Sequence, residues 1–209
     1  MMNEKIVSRE TLENTRELYQ QYFEELEAYL EQLLWWNEKV NLVSREVSRE
    51  TVREHIVHSL IPQELNVIKN EDSWIDAGTG GGLPGIPLAI TGKGTHWILN
   101  DIVSKKVAAL KQMIFHLNLS TVKATADSVE KLLFPGNCGV ITKHAFKTDN
   151  LLRMIKEKSW KKLVLMKGVD EAKEEFQKLD MNLKSILYRF EFGDDEPFYE
   201  GKGLMVIEQ

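Results

Sequence analysis

One stretch limits this chain more than any other: Trp74-Ile75-Asp76-Ala77-Gly78-Thr79-Gly80-Gly81-Gly82-Leu83-Pro84-Gly85-Ile86-Pro87. It opens as an apolar strand and closes as a helix, and the glycine run between them lets the backbone turn sharply and come close to a ligand. A dinucleotide loop of the Gly-x-Gly-x-x-Gly type would find Gly78 and Gly80 but meets Leu83 in third place. A phosphate-cradling loop would need a Lys-Ser/Thr pair after the glycines, and none follows. What remains is Asp-x-Gly-x-Gly-x-Gly, with Asp76 at the strand end. An acid there suits a cationic or amine-bearing ligand and repels a pyrophosphate. S-adenosylmethionine, with its sulfonium and amino groups, is such a ligand. A second acid, Asp101, ends the next apolar segment, 96–100. It follows the first glycine by roughly the 20 residues expected of a ribose-binding carboxylate. The alternative is an unrelated glycine-rich turn, with Asp101 as a helix cap.

The rest of the chain alternates in the same way. From Ser73 onward short apolar segments alternate with helical ones, the signature of a parallel sheet with crossover helices. Strands are expected near 73–77, 95–101, 121–125, 138–142 and 163–166, with helices from Gly85, over 104–116, 127–133, 148–158 and 169–179. Two last strands, 183–192 and 203–208, have no helical pattern between them and are expected to pair antiparallel at the sheet edge. Before this, residues 9–36 carry apolar residues at helical spacing with no Gly or Pro. Ser48 can cap a second helix, Arg49 to Leu60, with Pro62 just past its end. The expected division is a small helical extension over 1–65 and an α/β domain over 66–209.

Composition adds limits. At 209 residues, 43% hydrophobic and 28% charged, the chain can bury a sizeable core. It has no apolar run of membrane-spanning length and no signal-peptide core. A single Cys138 excludes an intrachain disulfide and fits a reducing compartment. A cytoplasmic protein with no membrane contact is expected. The net charge of -5 hides an asymmetry: residues 102–170 hold thirteen basic and five acidic side chains, and 171–209 hold five against ten. A basic face could meet phosphates, although lysines scattered over helix surfaces do the same to the count.

Several stretches together resemble the RsmG/GidB family of small-subunit ribosomal RNA methyltransferases. They are Trp36-Asn37-Glu38-Lys39-Val40-Asn41-Leu42, close to W-N-x-x-x-N-L; His55-Ile56-Val57-His58-Ser59-Leu60, like H-x-x-D-S-L; Asp76 to Ala89, nearly the whole of D-x-G-S-G-x-G-F-P-G-I-P-L-A; Leu165-Met166-Lys167-Gly168; and Gly203-Leu204-Met205-Val206-Ile207. The resemblance implies a class I methyltransferase fold, a Rossmann-like seven-stranded sheet with the last strand antiparallel. It implies S-adenosylmethionine as methyl donor and guanine N7 near the ribosomal decoding site as acceptor. The cofactor set it implies is Asp76, Gly78, Thr79, Gly80, Gly82, Leu83, Asp101, Ile102, Ala126 and Asp127. Asp127 lacks the family's R-A-E context and could equally be a helix N-cap. The substrate side departs more: His58 replaces the acid of H-x-x-D-S-L, and the S-R-A-F segment reads Lys143-His144-Ala145-Phe146.

Guanine N7 has a lone pair and no proton, so attack on a sulfonium methyl needs alignment and exclusion of water rather than a general base. This fits a sequence with no evident nucleophile-base pair. Lys143 and His144 follow the fourth α/β strand, where sheet ligands bind, and are the catalytic candidates; either could reach guanine O6 or a phosphate. Asn41, His55, His58 and Lys167 complete the expected substrate set. His55 and His58 share a helix face at metal-ligand spacing, but no second ligand cluster accompanies them and no metal is expected. The expected partner is small-subunit ribosomal RNA, or the assembling subunit, met by a monomer. The competing readings are a methyltransferase of this fold acting on another RNA, a small molecule or a protein, and an RNA-binding protein that has lost its cofactor.

Overall fold

The apolar runs around Ile75, Val140 and Leu163 to Met166 have no polar face, so they need helices on both sides of the sheet. The computed structural model, which describes residues 2–68, 71–179 and 183–209, puts them at the sheet centre. The strands are β1 (Met2–Ser8), β2 (Ser73–Ala77), β3 (His96–Asn100), β4 (Val122–Thr125), β5 (Cys138–Lys143), β6 (Lys162–Gly168), β7 (Lys184–Glu191) and β8 (Lys202–Glu208). They form one sheet in the order β1-β7-β8-β6-β5-β2-β3-β4. β8 runs antiparallel to both β6 and β7, and all other pairings are parallel.

The helices are α1 (Arg9–Gln21), α2 (Phe23–Asn37), α3 (Arg49–Glu64), α4 (Gly85–Thr91), α5 (Ser104–His116), α6 (Thr148–Met154) and α7 (Val169–Gln177). One face of the sheet carries a core into which α1 to α5 send Leu12, Leu30, Ile56, Ile86 and Leu110. The other carries a smaller core with Leu151 and Leu152 of α6 and Ala172 of α7. The N-terminal helices therefore share a core with the glycine-loop helix α4.

Seven of the strands are those read from the sequence. The eighth, β1, was not expected, and it changes the edge: β7 is covered by β1 rather than lying outermost. Three further details differ from expectation. The run over 9–36 is two helices, broken at Tyr22. Pro62 lies inside α3, which continues to Glu64. The segment 127–133 holds only a short 3₁₀ turn, Val129–Lys131. Ser48 does cap α3, accepting from Thr51 N at 3.1 Å.

Candidate active site

Asp76 ends β2 fully buried. Its Oδ2 accepts from Gly85 N at 2.8 Å and Thr79 Oγ1 at 2.6 Å, which ties the strand end to both ends of the glycine loop. Its Oδ1 is buried without a partner among the described residues. Burial pushes the carboxyl up to about 7. Gly78, Gly80 and Gly82 all have left-handed φ. Gly78 is also fixed by space, since a Cβ there would lie 2.4 Å from Ala145 Cβ. The loop after β2 thus lies directly against the loop after β5.

At the end of β3, Asp101 Oδ2 accepts from Gly80 N at 3.2 Å and Oδ1 from Val103 N at 2.9 Å. Ile102 beside it is 72% exposed, an apolar side chain with nothing to cover it. Asn100 donates to the Asp127 carbonyl at 2.7 Å and so holds the segment after β4 against the end of β3. Asp127 Oδ2 accepts from Thr125 Oγ1, and both Ala126 and Asp127 are exposed. The residues read as a cofactor set are therefore gathered along the ends of three adjacent strands, β2, β3 and β4.

The substrate set is divided. A cleft of about 180 Å³ is lined by Gly78 to Gly81 and Leu83, by Leu42 and Val43, and by His55, Lys143 and His144. Lys143 is half-buried, and its Nζ donates to His55 O at 2.9 Å and Ser59 Oγ at 3.2 Å, both on α3. Burial, and next the charge of Lys202, lower its pKa to about 7. His144 adopts a left-handed backbone, φ 55°, held by its N–H to Met166 O at 3.1 Å. Burial lowers its pKa and pushes that of His55 down to about 3, so both imidazoles are neutral at physiological pH.

The other three lie elsewhere. His58 is fully buried among Phe190, Phe198 and Tyr199, with neither ring nitrogen bonded to a described residue. Lys167 is buried against Glu175 at 2.5 Å and Glu171 at 3.2 Å. Asn41 is exposed and accepts from Arg45 Nε at 2.6 Å. Among the described residues no group of three or more His, Cys, Asp or Glu is placed to hold a metal, and no helix is long and apolar enough to cross a membrane.

Sequence reading missed Asn37, which organises the cleft wall. Its Oδ1 accepts from Leu42 N at 2.8 Å and Val43 N at 2.9 Å, and its Nδ2 donates to Ser44 O at 3.1 Å. Its signal was a polar residue in register with the buried face of α2. Tyr29 was missed too; its hydroxyl donates to Gly81 O at 3.0 Å from within the core.

These features fit S-adenosylmethionine. An unpartnered buried carboxylate oxygen, a loop in left-handed backbone, a second acid and an exposed isoleucine at the next strand end suit an amine, a close backbone approach, a diol and an aromatic face. The site offers no nucleophile-base pair, so it suits transfer to an acceptor that already has a free lone pair.

The chain's relatives agree with that chemistry. The sequence model of GidB, described as rRNA small subunit methyltransferase G, matches residues 22–189. Ribosomal RNA small subunit methyltransferase G of Chlorobium limicola is 31% identical over 214 residues, covering 98% of this chain and 94% of that one. Its counterpart in Chlorobaculum tepidum is 46% identical over 97 residues, covering 46% and 45%. Among solved structures, an O-methyltransferase from Bacillus cereus in complex with SAH superposes with a TM-score of 0.59 at 16% identity, covering 87% of this chain and 90% of that one. An rRNA methylase from Streptococcus thermophilus gives a TM-score of 0.52 at 18% identity, covering 75% and 95%. Likeness at such identities speaks to the fold, which is that of class I methyltransferases.

Proposed function

We propose that this chain, which belongs to the rRNA small subunit methyltransferase G family, carries the methyl group of S-adenosylmethionine to N7 of a guanine in small-subunit ribosomal RNA. The family sets the donor and the class of acceptor; the atom and the residue roles are our reading. The observation that carries it is the cleft itself, in which the glycine loop and the end of β5 meet around hydrogen-bond donors that are neutral or nearly so.

S-adenosylmethionine, when bound, supplies an electrophilic methyl on a sulfonium. In this reading Asp76 receives its amino group, Asp101 its ribose hydroxyls, and Ile102 covers a face of its adenine beside Ala126 and Asp127. Gly78, Thr79, Gly80, Gly82 and Leu83 shape the wall. As the methyl transfers, positive charge develops on the guanine ring, so a full cation at N7 would oppose the reaction while a donor to O6 would help it. The neutral imidazole of His144, and Lys143 with its lowered pKa, can donate with less positive charge than an ordinary arginine or lysine. Leu42, Val43 and His55 exclude water from the cleft, and Asn37 holds two of those three in place.

The reading treats residues 1–65 as an extension that walls the cleft of a methyltransferase domain over 66–209. It takes the protein to act in the cytoplasm, as a monomer, on the assembling small subunit or its RNA. The test uses small subunits and naked ribosomal RNA from cells lacking this protein, incubated with labelled S-adenosylmethionine and digested to nucleosides. Label in 7-methylguanosine from one small-subunit site is expected. Label in another nucleoside, or none while S-adenosylhomocysteine still binds, would overturn the N7 assignment.

A further inference from the structure

Lys202 opens β8, opposite Gly168 at the end of β6, on the same edge of the sheet as Lys143 and His144. Its Nζ donates to the Phe198 carbonyl and sits 3.5 Å above the Phe198 ring. That ring lies 5.0 Å from the His55 ring, and His55 lines the cleft. Two lysines, Lys143 and Lys202, and two neutral imidazoles able to donate a hydrogen bond, His55 and His144, therefore ring one corner of the site.

Among the described residues neither lysine of this corner has a paired anion; the acid that acts on Lys143 is Asp76, one strand away on β2, whose Oδ2 is taken by Thr79 and Gly85. Neither Lys143 nor Lys202 is in a salt bridge with any described residue; Lys143 meets only a carbonyl and a hydroxyl, and Lys202 only a carbonyl and a ring face. The carboxylates that face the corner are engaged elsewhere. Glu54 accepts from Tyr199 at 2.9 Å and lies 3.4 Å from Arg16, and Glu171 pairs with Lys167 at 3.2 Å. Two lysines brought together without a paired counter-charge cost stability that a ligand anion can offset. Burial lowers the pKa of Lys202, and burial followed by the charge of Lys202 lowers that of Lys143, in agreement with this geometry.

We propose that Lys143, Lys202, His55 and His144 form an oxyanion subsite at the rim of the glycine-loop cleft, and that its occupant is a phosphodiester of the RNA strand that delivers the guanine. This rests on the functional reading above. Sheet geometry selects the occupant. β8 is three strands from β2, and strands lie about 4.8 Å apart, so Lys202 stands roughly 14 Å across the sheet from Asp76. A carboxylate of a cofactor seated on β2 and β3 can approach Lys143 on adjacent β5 but falls short of Lys202. A nucleotide entering from the β8 side passes both.

The test compares Lys202→Gln with Lys178→Gln, a control at an exposed position that caps the C-terminus of α7. Binding of small-subunit ribosomal RNA is measured across a salt series with S-adenosylhomocysteine present, and S-adenosylhomocysteine binding is measured alone. K202Q is expected to lower the slope of log affinity against log salt by about 0.7–1, while K178Q does not. Cofactor-product affinity should stay within about twofold of wild type in both, since neither touches the cofactor set. An unchanged slope in K202Q overturns the subsite. A loss of S-adenosylhomocysteine binding in K202Q overturns its occupant, because the anion would then be the cofactor carboxylate. Wild-type protein that binds RNA but labels no guanine N7 removes the functional reading and leaves the salt slope to judge the phosphate contact by itself.

Discussion

Lys143 and Lys167 lie at the ends of neighbouring parallel strands, the first half-buried and the second buried, and their surroundings differ in kind. Lys167 lies between Glu171 and Glu175 and also donates to Phe146 O at 3.2 Å, so its charge is matched within α7 and the adjoining loop. Lys143 has a carbonyl and a hydroxyl for company and borders an open cleft. A buried cation with its carboxylates already supplied is an anchor. A half-buried cation without one either gives up part of its charge, as its pKa of about 7 allows, or keeps it at a cost that a ligand can offset. Both lysines follow the same strand signal in the sequence, and the surroundings alone separate their roles.

The comparison breaks first at Lys167. Lys167→Met would leave Glu175 charged and half-enclosed, and should destabilise by about 3 kcal/mol, the low end for a broken buried pair because Glu175 keeps some water. For a chain of this size that is a fall in melting temperature of roughly 6–12 °C. Lys143→Met should do the opposite: an unchanged or higher melting temperature, with methyl transfer reduced about 100-fold, as for loss of one well-placed donor. If K143M melts as low as K167M, the two sites are alike and the distinction fails.

A smaller effect concerns Asp76. Because its folded carboxyl titrates near 7, above the unfolded 3.8, its contribution to stability is complete below the unfolded value and is lost as pH rises through about 7. Ligand binding should run the other way. As pH falls below about 7 the acid takes up a proton and loses its attraction for an amine, so S-adenosylhomocysteine affinity should drop toward tenfold per pH unit. Calorimetric titration and melting between about pH 6 and about pH 8 would show the two opposed slopes, and Asp76→Asn should flatten both. Parallel slopes would remove Asp76 from the amine site.

The smallest expected effect is at His58. Its two bare nitrogens already sit among aromatic rings, so His58→Phe should leave transfer within about twofold and the melting temperature within about 2 °C. A tenfold loss of RNA methylation in H58F, with cofactor binding intact, would return His58 to the substrate set.

What could be read from the sequence was local. The glycine run, the acid before it and the Ser48 cap are each specified within a few residues, and the strand alternation from Ser73 onward needs nothing more distant. What escaped depends on remote partners. β1 is polar through Asn3, Glu4 and Lys5, and becomes a strand because β7 presents an open edge. The break at Tyr22 has neither Gly nor Pro to announce it. Pro62 read as a terminator, but α3 absorbs it in a turn buried against the core. His55 reached the cleft and His58 did not, although they share a helix and both pack on Phe198, because His58 lies one turn further along α3, enclosed by Phe190 and Tyr199 as well. Asn37 and Asn41 belong to one motif, and only contacts show which of them shapes the wall.

The first strand has a consequence in time. β1 pairs in parallel register from Met2 opposite Ser185 to Ser8 opposite Glu191, and Glu4 reaches Arg189 at 2.8 Å and Lys173 at 2.7 Å. Its seat therefore exists only after β7 has been made. On the ribosome these residues are synthesised well before their partner, and they wait as a strand edge without a neighbour. Their charges, Glu4 and Lys5, are of the kind that keep a waiting edge from pairing with other chains. An enzyme of the ribosome's own RNA thus closes one edge of its sheet with residues made long before the strand they pair with.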